Sequence, residues 1–210
     1  MDAITPDSTE TCNLLRQIEE GDRQAFERLF DRYRAYLSQV VEVRLDPRVR
    51  VRIDPSDVVQ ETQLEVFRRL PDYLTRRPMP FRLWLRKTAQ ERLLVVRRQH
   101  LEAGRRAVNR EVPLPERSSL LLARGFLTGS TPSRQLGRQE LARRVRQAVA
   151  RLSEADREIV LLRAFEGLSN QEVACVLDLD PATASKRHGR ALLRLQKLLA
   201  EGGLTTESES

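Results

Sequence analysis

The sequence predicts an all-α protein in which a long linker joins two helical domains, the C-terminal one a helix-turn-helix. Apolar residues recur at helical spacing in both halves of the chain, and no stretch alternates long enough to demand a sheet. Between the halves, residues 104–138 lose this periodicity and collect Gly, Pro, Ser and Arg, as is typical of a linker. We therefore predict an N-terminal domain over residues 11–103 and a C-terminal domain over residues 139–200.

The first two helices of the N-terminal domain follow from apolar residues at core spacing. The first helix ends near Gly21, and Asp22 caps the second. Asp46-Pro47 marks a break, after which residues 48–53 could be extended or helical. The inward positions of these two helices are Leu14, Leu15, Ile18, Phe26, Leu29, Phe30, Tyr33, Leu37 and Val40.

The third helix begins after Asp54-Pro55, and the fourth runs from Phe81 to about Leu101. The segment Pro71–Pro80 between them contains three prolines and predicts a loop. The apolar positions of the third helix, which we expect to face inward, are Val58, Val59, Leu64, Val66, Phe67 and Leu70. Those of the fourth helix are Phe81, Trp84, Leu85, Thr88, Leu93 and Val96. The spacing of Trp84 favours a core anchor over a base-stacking platform.

The polar residues of these two helices differ in sign. The third helix has Asp57, Gln60, Glu61 and Glu65 near its exposed side, whereas the fourth has a series of basic residues. The basic set consists of Arg82, Arg86, Lys87, Arg92, Arg97, Arg98 and His100. One interpretation is that the acidic surface of the third helix and the basic surface of the fourth helix bind two different partners. The alternatives are acids that stabilise a helix start through its dipole, and a basic face that is merely solvated.

The C-terminal domain has the start signals of a helix-turn-helix. Ser153 with Asp156 and Ser169 with Glu172 fit the capping-box pattern, and Asp180 followed by proline fits an N-cap. A glycine, Gly167, stands where a helix ending near Phe165 would need a residue with positive φ. These signals predict a helix, a tight turn, a short helix, a second tight turn and a long basic helix, in that order.

The last helix carries a cationic stripe opposite an apolar one. The polar stripe consists of Thr183, Lys186, Arg187, Arg190, Arg194 and Lys197, and the apolar stripe of Ala184, Ala191, Leu192, Leu195, Leu198 and Leu199. A helix of this kind in the second limb of a helix-turn-helix can enter the major groove of DNA. Phosphate charge would supply affinity, and Arg and Lys can also contact guanine edges. The alternative is a solvated face on an ordinary bundle helix.

The composition favours an acidic polymer as partner. The chain of 210 residues has a formal net charge of +7, with 37 Lys and Arg residues. Nucleic acid is favoured over anionic lipid because the basic residues accompany compact apolar stripes without an aromatic belt. No apolar run approaches a membrane span, and the polar first residues do not resemble a signal peptide. We expect a cytoplasmic protein without membrane contact.

Enzymatic chemistry is not indicated by the sequence. Cys12 and Cys175 cannot form a disulfide framework or a thiol metal site by themselves. His100 and His188 are isolated, no His/Glu/Cys spacing suits a metal, and no Gly-rich phosphate loop follows a strand. We therefore expect neither a catalytic residue nor a metal or cofactor.

Four segments resemble a sigma-70-family sigma factor of the two-domain extracytoplasmic-function (ECF) type. Asp22–Val40 resembles the first helix of region two, and Phe81–Arg98 resembles the F-R-x-W-L-x-x-x-A segment beside the melted promoter. Asp54–Leu70 resembles the segment that grips the polymerase clamp, with a D-x-V-Q-E core. Region four is matched by L-S-x-x-D-R-E-I-V-L-L-R and E-G-L-S-x-x-E-V-A before the last helix. Members often have an Asn and an Asp where Glu91 and Val95 stand.

The resemblance implies a sigma factor that directs core RNA polymerase to promoter DNA and helps to open it. Asp57, Gln60 and Glu61 would bind core polymerase. The melted strand would meet Arg82, Trp84, Arg86, Lys87, Arg97 and Arg98, and the Pro71–Pro80 loop would shelter a flipped base. The distal promoter element, as duplex, would meet Thr183, Ser185, Lys186, Arg187 and Arg190. An anti-sigma factor is a further candidate partner.

Two other interpretations stay open from the residues alone. A two-domain helix-turn-helix regulator would bind a palindromic operator as a two-fold dimer without polymerase. A helical adaptor would bind protein only, which the cationic stripe of the last helix disfavours.

Overall fold

The computed structural model describes residues 3–45, 47–102 and 135–201. The described residues form helices and turns without a strand, which confirms the predicted all-α class. They belong to two compact units, one made of residues 4–102 and the other mainly of residues 135–201, and residues 104–134 of the predicted linker lie outside the described ranges. Within these ranges, no helix has the length and apolar character needed to cross a bilayer.

The first two helices, α1 (Thr9–Glu19) and α2 (Arg23–Arg44), are capped by residues that precede them. Ser8 accepts a hydrogen bond from the Thr11 amide at 3.3 Å, and Asp22 accepts from the amides of the first turn of α2. The turn between the helices is possible because Gly21 has a φ of +95°. The predicted cap at Asp22 is confirmed.

Residues 48–53, for which the sequence left two alternatives, are helical and then turn. The short helix α3 (Pro47–Arg50) leads through a turn to α4 (Pro55–Arg76). Asp54 caps α4, and its amide donates in return to Asp57 Oδ2 at 3.3 Å. The two acids therefore form a complete capping box.

The predicted loop from Pro71 to Pro80 is wrong for its first half. Helix α4 continues through Pro71 to Arg76, and only residues 77–80 connect it to the next helix. Proline removes one helical hydrogen bond, but Leu70 and Tyr73 on either side of it are each only 3% exposed. Burial of these side chains stabilises the helix past the proline.

Helix α5 (Phe81–Glu102) packs against α2 and α4 around one apolar core. Its predicted apolar positions lie in or against this core, and Leu83 and Arg86 are buried as well. The prediction that Leu64 and Phe67 of α4 face inward is wrong, since they are 66% and 54% exposed. Helix α4 has enough other inward residues to fill its apolar stripe, so these two are left outside.

The C-terminal unit opens with a helix that the sequence analysis missed. Helix α6 (Gln135–Arg151) begins inside the predicted linker and buries Val145, Ala148 and Val149. Helix α7 (Glu154–Val160) follows and continues as one π-helical turn. Arg157 of α7 connects the two helices by donating to the carbonyl groups of Val149, Ala150 and Leu152 at the C-terminal end of α6, where a helix leaves carbonyl groups without their regular donors.

The helix-turn-helix itself agrees with its predicted start and stop signals. Helix α8 (Asn170–Leu177) starts with the Ser169–Glu172 capping box, and Gly167 before it has a φ of +68°. The last helix, α9 (Pro181–Glu201), packs against α7 and α8. Ser153 caps α7, but the Asp156 side chain pairs with Arg194 instead of closing the box.

Candidate nucleic-acid interface

The start of α9 is fixed by two hydrogen bonds. The Thr183 amide donates to Asp180 Oδ1 at 2.8 Å, which makes Asp180 the N-cap. The hydrogen bonds from Thr183 hold the pKa of Asp180 below its ordinary value, so this cap stays ionised. Asn170 at the first turn of α8 donates to the Pro181 carbonyl at 2.8 Å. The two helices of the motif are thereby joined at their N-terminal ends.

The structure brings the predicted recognition residues to the outer face of α9. Thr183, Ser185, Lys186 and Arg190 are exposed, and Arg187 is half-buried. On the inner side Ala184, Ala191 and Leu195 are buried, so the helix is anchored by the apolar stripe. The arrangement presents hydroxyl, ammonium and guanidinium donors along two turns of one helix. Such a face can contact both phosphates and base edges.

The second basic surface lies on α5. Arg97 and Arg98 near its C-terminal end are exposed, whereas Arg82 and Lys87 near its start are half-buried. Arg82, Lys87 and Arg97 also interact with other groups of the chain. Trp84 packs against the core, with its ring 4.5 Å from that of Tyr73 and 5.8 Å from that of Phe81.

Arg86 does not lie where the sequence analysis expected it. Its side chain is fully buried, and its Nη1 lies 3.5 Å from Gln90 Oε1 on the next turn. Leu83 and Leu85, which precede it, are also buried, because α5 is covered on more than its one predicted apolar side. A guanidinium in this position cannot reach a phosphate, so we withdraw Arg86 from the strand-contacting residues.

The acidic residues of α4 lie outside the core but have contacts within the chain. Asp57 is exposed and serves the capping box, as the alternative interpretation of this residue expected. Glu61 accepts a hydrogen bond from Arg92 Nη2 of α5 at 2.5 Å. Gln60 is exposed between them. The three residues predicted to bind polymerase therefore share the solvent side of one helix.

Two apolar residues extend this side of α4. Leu64 and Phe67 continue the helical series that starts at Asp57 and Glu61. The ring of Phe67 lies edge-on to Phe26 with 5.0 Å between centroids, which fixes its direction while leaving half of it exposed. An exposed apolar pair beside polar groups is typical of a protein-binding surface. The sequence contains one indication that Leu64 and Phe67 face outward, namely their helical spacing from Asp57. The spacing of these two residues from Val59 and Val66 instead predicts that they face the core.

The described part of the chain contains no group of three or more His, Cys, Asp or Glu residues that could hold a metal ion. Cys12 is exposed and Cys175 half-buried. The basic faces of α5 and α9 can bind anionic partners, and the exposed side of α4 can bind a partner that offers basic and apolar groups.

Known proteins with similar sequences include RNA polymerase sigma factors. Residues 142–195 match the family model for sigma-70, region 4. The chain is 31% identical over 188 residues to the RNA polymerase sigma factor CnrH of Cupriavidus metallidurans, covering 89% of this chain and 92% of that protein. It is 27% identical over 179 residues to the ECF RNA polymerase sigma-E factor of Haemophilus influenzae, covering 85% and 89%.

Solved structures of two sigma factors share the fold. CnrH in complex with the cytosolic domain of CnrY superposes with a TM-score of 0.60 and 23% identity, over 92% of this chain and 99% of that one. RpoE in complex with the anti-sigma factor NepR from Bartonella quintana gives a TM-score of 0.52 at 18% identity, over 85% and 96%. The chain therefore belongs to the sigma-70 family, as a sigma factor of the extracytoplasmic-function type that directs core RNA polymerase to promoters.

Proposed function

We propose that α9 reads the distal promoter element as duplex DNA. Lys186, Arg187 and Arg190 are the groups that would enter the major groove and contact both phosphates and base edges, and Thr183 and Ser185 would contact further phosphates at its edge. The N-terminal half of such a helix meets the bases, which is where these residues lie. The observation that carries this proposal is the outward placement of the cationic stripe, since its buried opposite side fixes the rotation of α9.

The melted promoter strand would be held by α5 and the loop of residues 77–80. Arg97 and Arg98 lie exposed near the end of α5, and Arg82 and Lys87 flank its start. Their positive charges would neutralise the strand backbone. Taking a base out of the stack costs a few kcal/mol, so the site must bind the open strand more tightly than the duplex. Trp84 would support this surface from below, as part of the core packing.

Core polymerase would be bound by the exposed side of α4. Asp57, Gln60 and Glu61 would face basic residues of the partner, and Leu64 and Phe67 would add apolar contact area. A surface of this composition, with an apolar centre beside charged groups, is typical of protein interfaces. Within one initiation complex, α9 would thus bind duplex DNA, α5 the melted strand, and the exposed side of α4 core polymerase.

Three further features complete the proposal. The predicted linker 104–138, whose last residues belong to α6, would allow the two units to reach separate promoter elements. The structural neighbours were solved with bound partner proteins, one of them an anti-sigma factor, which supports an anti-sigma factor as a partner here. The family consists of proteins that are not enzymes, and we infer that this chain makes and breaks no bond and acts in the cytoplasm, where the polymerase is.

A gel-shift experiment with and without core polymerase tests the proposal. The purified chain alone should bind a promoter fragment weakly, and addition of core polymerase should produce a stable complex. A two-fold operator regulator would instead bind a palindromic duplex without polymerase. Tight binding of the isolated chain to such a duplex, unchanged by core polymerase, would contradict the proposal.

A further inference from the structure

Helix α5 has no N-cap residue of its own. The three residues before Phe81 are Pro78, Met79 and Pro80, and none has a side-chain oxygen that could accept a hydrogen bond. The helices α1, α2, α4 and α8 all start with a capping side chain from the residue that precedes them. A buried amide at a helix start needs an acceptor from elsewhere.

Asp7 provides that acceptor from the N-terminal segment. The Phe81 amide donates to Asp7 Oδ2 at 2.8 Å, although the two residues are 74 positions apart in sequence. The Phe81 side chain is fully buried, so water cannot take over this role easily. A carboxylate at the start of a helix is also stabilised by the helix dipole.

The other end of the loop before α5 is held by helix α1, which follows the segment that carries Asp7. Arg77 has a left-handed backbone with a φ of +39°, and its Nη2 donates to Glu19 Oε1 of α1 at 2.7 Å. Between the two ends, the Tyr73 hydroxyl donates to the Met79 carbonyl at 3.1 Å. Burial raises the pKa of Tyr73, so its hydroxyl keeps the proton that it donates. The loop is therefore fixed at its start, its middle and its end.

The segment that carries Asp7 is itself attached to α2. Thr11 is fully buried, and its hydroxyl lies 2.9 Å from the hydroxyl of Tyr33. Glu10 forms an ion pair with Arg32. These contacts connect the N-terminal segment to the core of the domain, which makes it a rigid support for the loop.

We infer that Asp7 and Glu19 are positioning residues, which hold loop 77–80 and the first turn of α5 in the geometry that receives the melted promoter strand. This inference rests on the proposed strand-binding role of α5. Neither residue needs to touch DNA. They act by placing the loop and the basic residues Arg82 and Lys87 that follow it.

The chain offers a matched control for each residue. Glu20 directly follows Glu19 at the end of α1, but it pairs with Arg16 of that helix at 2.7 Å and not with the loop. Asp7→Asn keeps a side-chain oxygen that can cap α5, whereas Asp7→Ala removes it, and Asn is as good an N-cap as Asp. The test variants are therefore Asp7→Ala and Glu19→Gln, with Asp7→Asn and Glu20→Gln as their controls.

The experiment uses the full chain with core polymerase on the genomic fragment from which the wild-type holoenzyme makes most run-off transcript. Permanganate reactivity of unpaired thymines gives the rate of promoter opening, and competition with labelled wild-type chain gives the affinity for core polymerase. We expect Asp7→Ala to slow opening about fivefold, the effect of a lost helix cap. Glu19→Gln should slow it about twofold, as expected for an exposed ion pair. Both controls should behave as wild type, and core affinity should be unchanged throughout.

Three results would overturn the inference. Opening at the wild-type rate by both test variants would show that the contacts do not position the strand site. A loss of core affinity as large as the loss of opening rate would show a general structural role. An Arg97→Ala, Arg98→Ala double variant tests the proposed strand-binding role of α5 by itself, so failure of that role can be distinguished from failure of the positioning role. If that variant also opens promoters at the wild-type rate, the strand-binding role of α5 is wrong, and the positioning role falls with it.

Discussion

Asp156 and Arg194 form an ion pair that joins the first turn of α7 to the recognition helix α9. The Asp156 side chain is only 7% exposed, whereas that of Arg194 is 61% exposed. Burial raises the pKa of Asp156, but the hydrogen bonds from Arg194 and Ser153 outweigh it and hold the pKa below its ordinary value. The pair therefore connects a buried carboxylate to the same face of α9 that presents the DNA-binding residues, and it orients that helix.

Replacing Asp156 by Ala should loosen α9. We expect the free energy of unfolding of the C-terminal domain to decrease by about 1–2 kcal/mol, since the carboxylate is buried but its partner is largely solvated. Faster amide hydrogen exchange in α7 and α9 of the full chain would show it. The control is Glu201→Gln, which removes an exposed pair between α9 and Arg151. Equal exchange in the two variants would contradict an orienting role for Asp156.

The half-buried His188 of α9 predicts a pH dependence of the same domain. Burial and the nearby charge of Arg163 both lower the pKa of His188 below the ordinary value of 6.5. Protonation of His188 is therefore more favourable in the unfolded chain than in the folded one. The folded domain has its full stability with respect to this group above pH 6.5, and it loses stability as the pH falls and His188 takes up a proton.

His188→Gln should reduce this pH dependence, and urea unfolding of the full chain at about pH 7.5 and about pH 5.5 measures it. His100→Gln in the N-terminal domain serves as the control. A wild-type C-terminal domain that is equally stable at both pH values would contradict the prediction.

Replacing Arg187 and Arg190 by Ala should weaken recognition of duplex promoter DNA while leaving core binding intact. Each lost phosphate contact should reduce the slope of log affinity against log salt concentration by about 0.9. Titration of the holoenzyme with promoter duplex at several salt concentrations gives this slope. Lys197→Ala is the control, because it removes one charge from the far end of the same helix and should have a smaller effect.

Asp57 and Glu61 should affect binding to core polymerase and not recognition of duplex DNA. Asp57→Asn combined with Glu61→Gln should lower the affinity for core polymerase and leave duplex recognition unchanged. The Asn variant keeps an acceptor for the capping box, so a loss of affinity would report the charge and not the helix start. Competition for core polymerase gives the affinity. If this pair and the Arg187, Arg190 pair impair the same step equally, the proposed division of labour is wrong.

Local signals in the sequence predicted most helix starts correctly. Asp22, Ser169 and Asp180 cap the helices that the pattern assigned to them, and Gly167 has the positive φ expected of it. These features depend on residues three or four positions apart, so the sequence displays them directly. The cationic stripe of α9 was predicted for the same reason, because its opposite side is a regular apolar series.

The errors concern residues whose surroundings come from distant parts of the chain. Burial of Leu70 and Tyr73 extends α4 through Pro71, against the local preference of proline. Arg86 is buried because other elements cover a second side of α5, which no periodicity reveals. The Asp7 cap of α5 joins residues 74 positions apart and has no signal in either segment.

In-vitro transcription with purified core polymerase and a library of genomic fragments tests the central claim most directly. Run-off products should appear from a discrete set of fragments only when both the chain and core polymerase are present. They should disappear with the Arg187, Arg190 double variant. The absence of any start site that depends on the chain would contradict the account of this protein as a sigma factor.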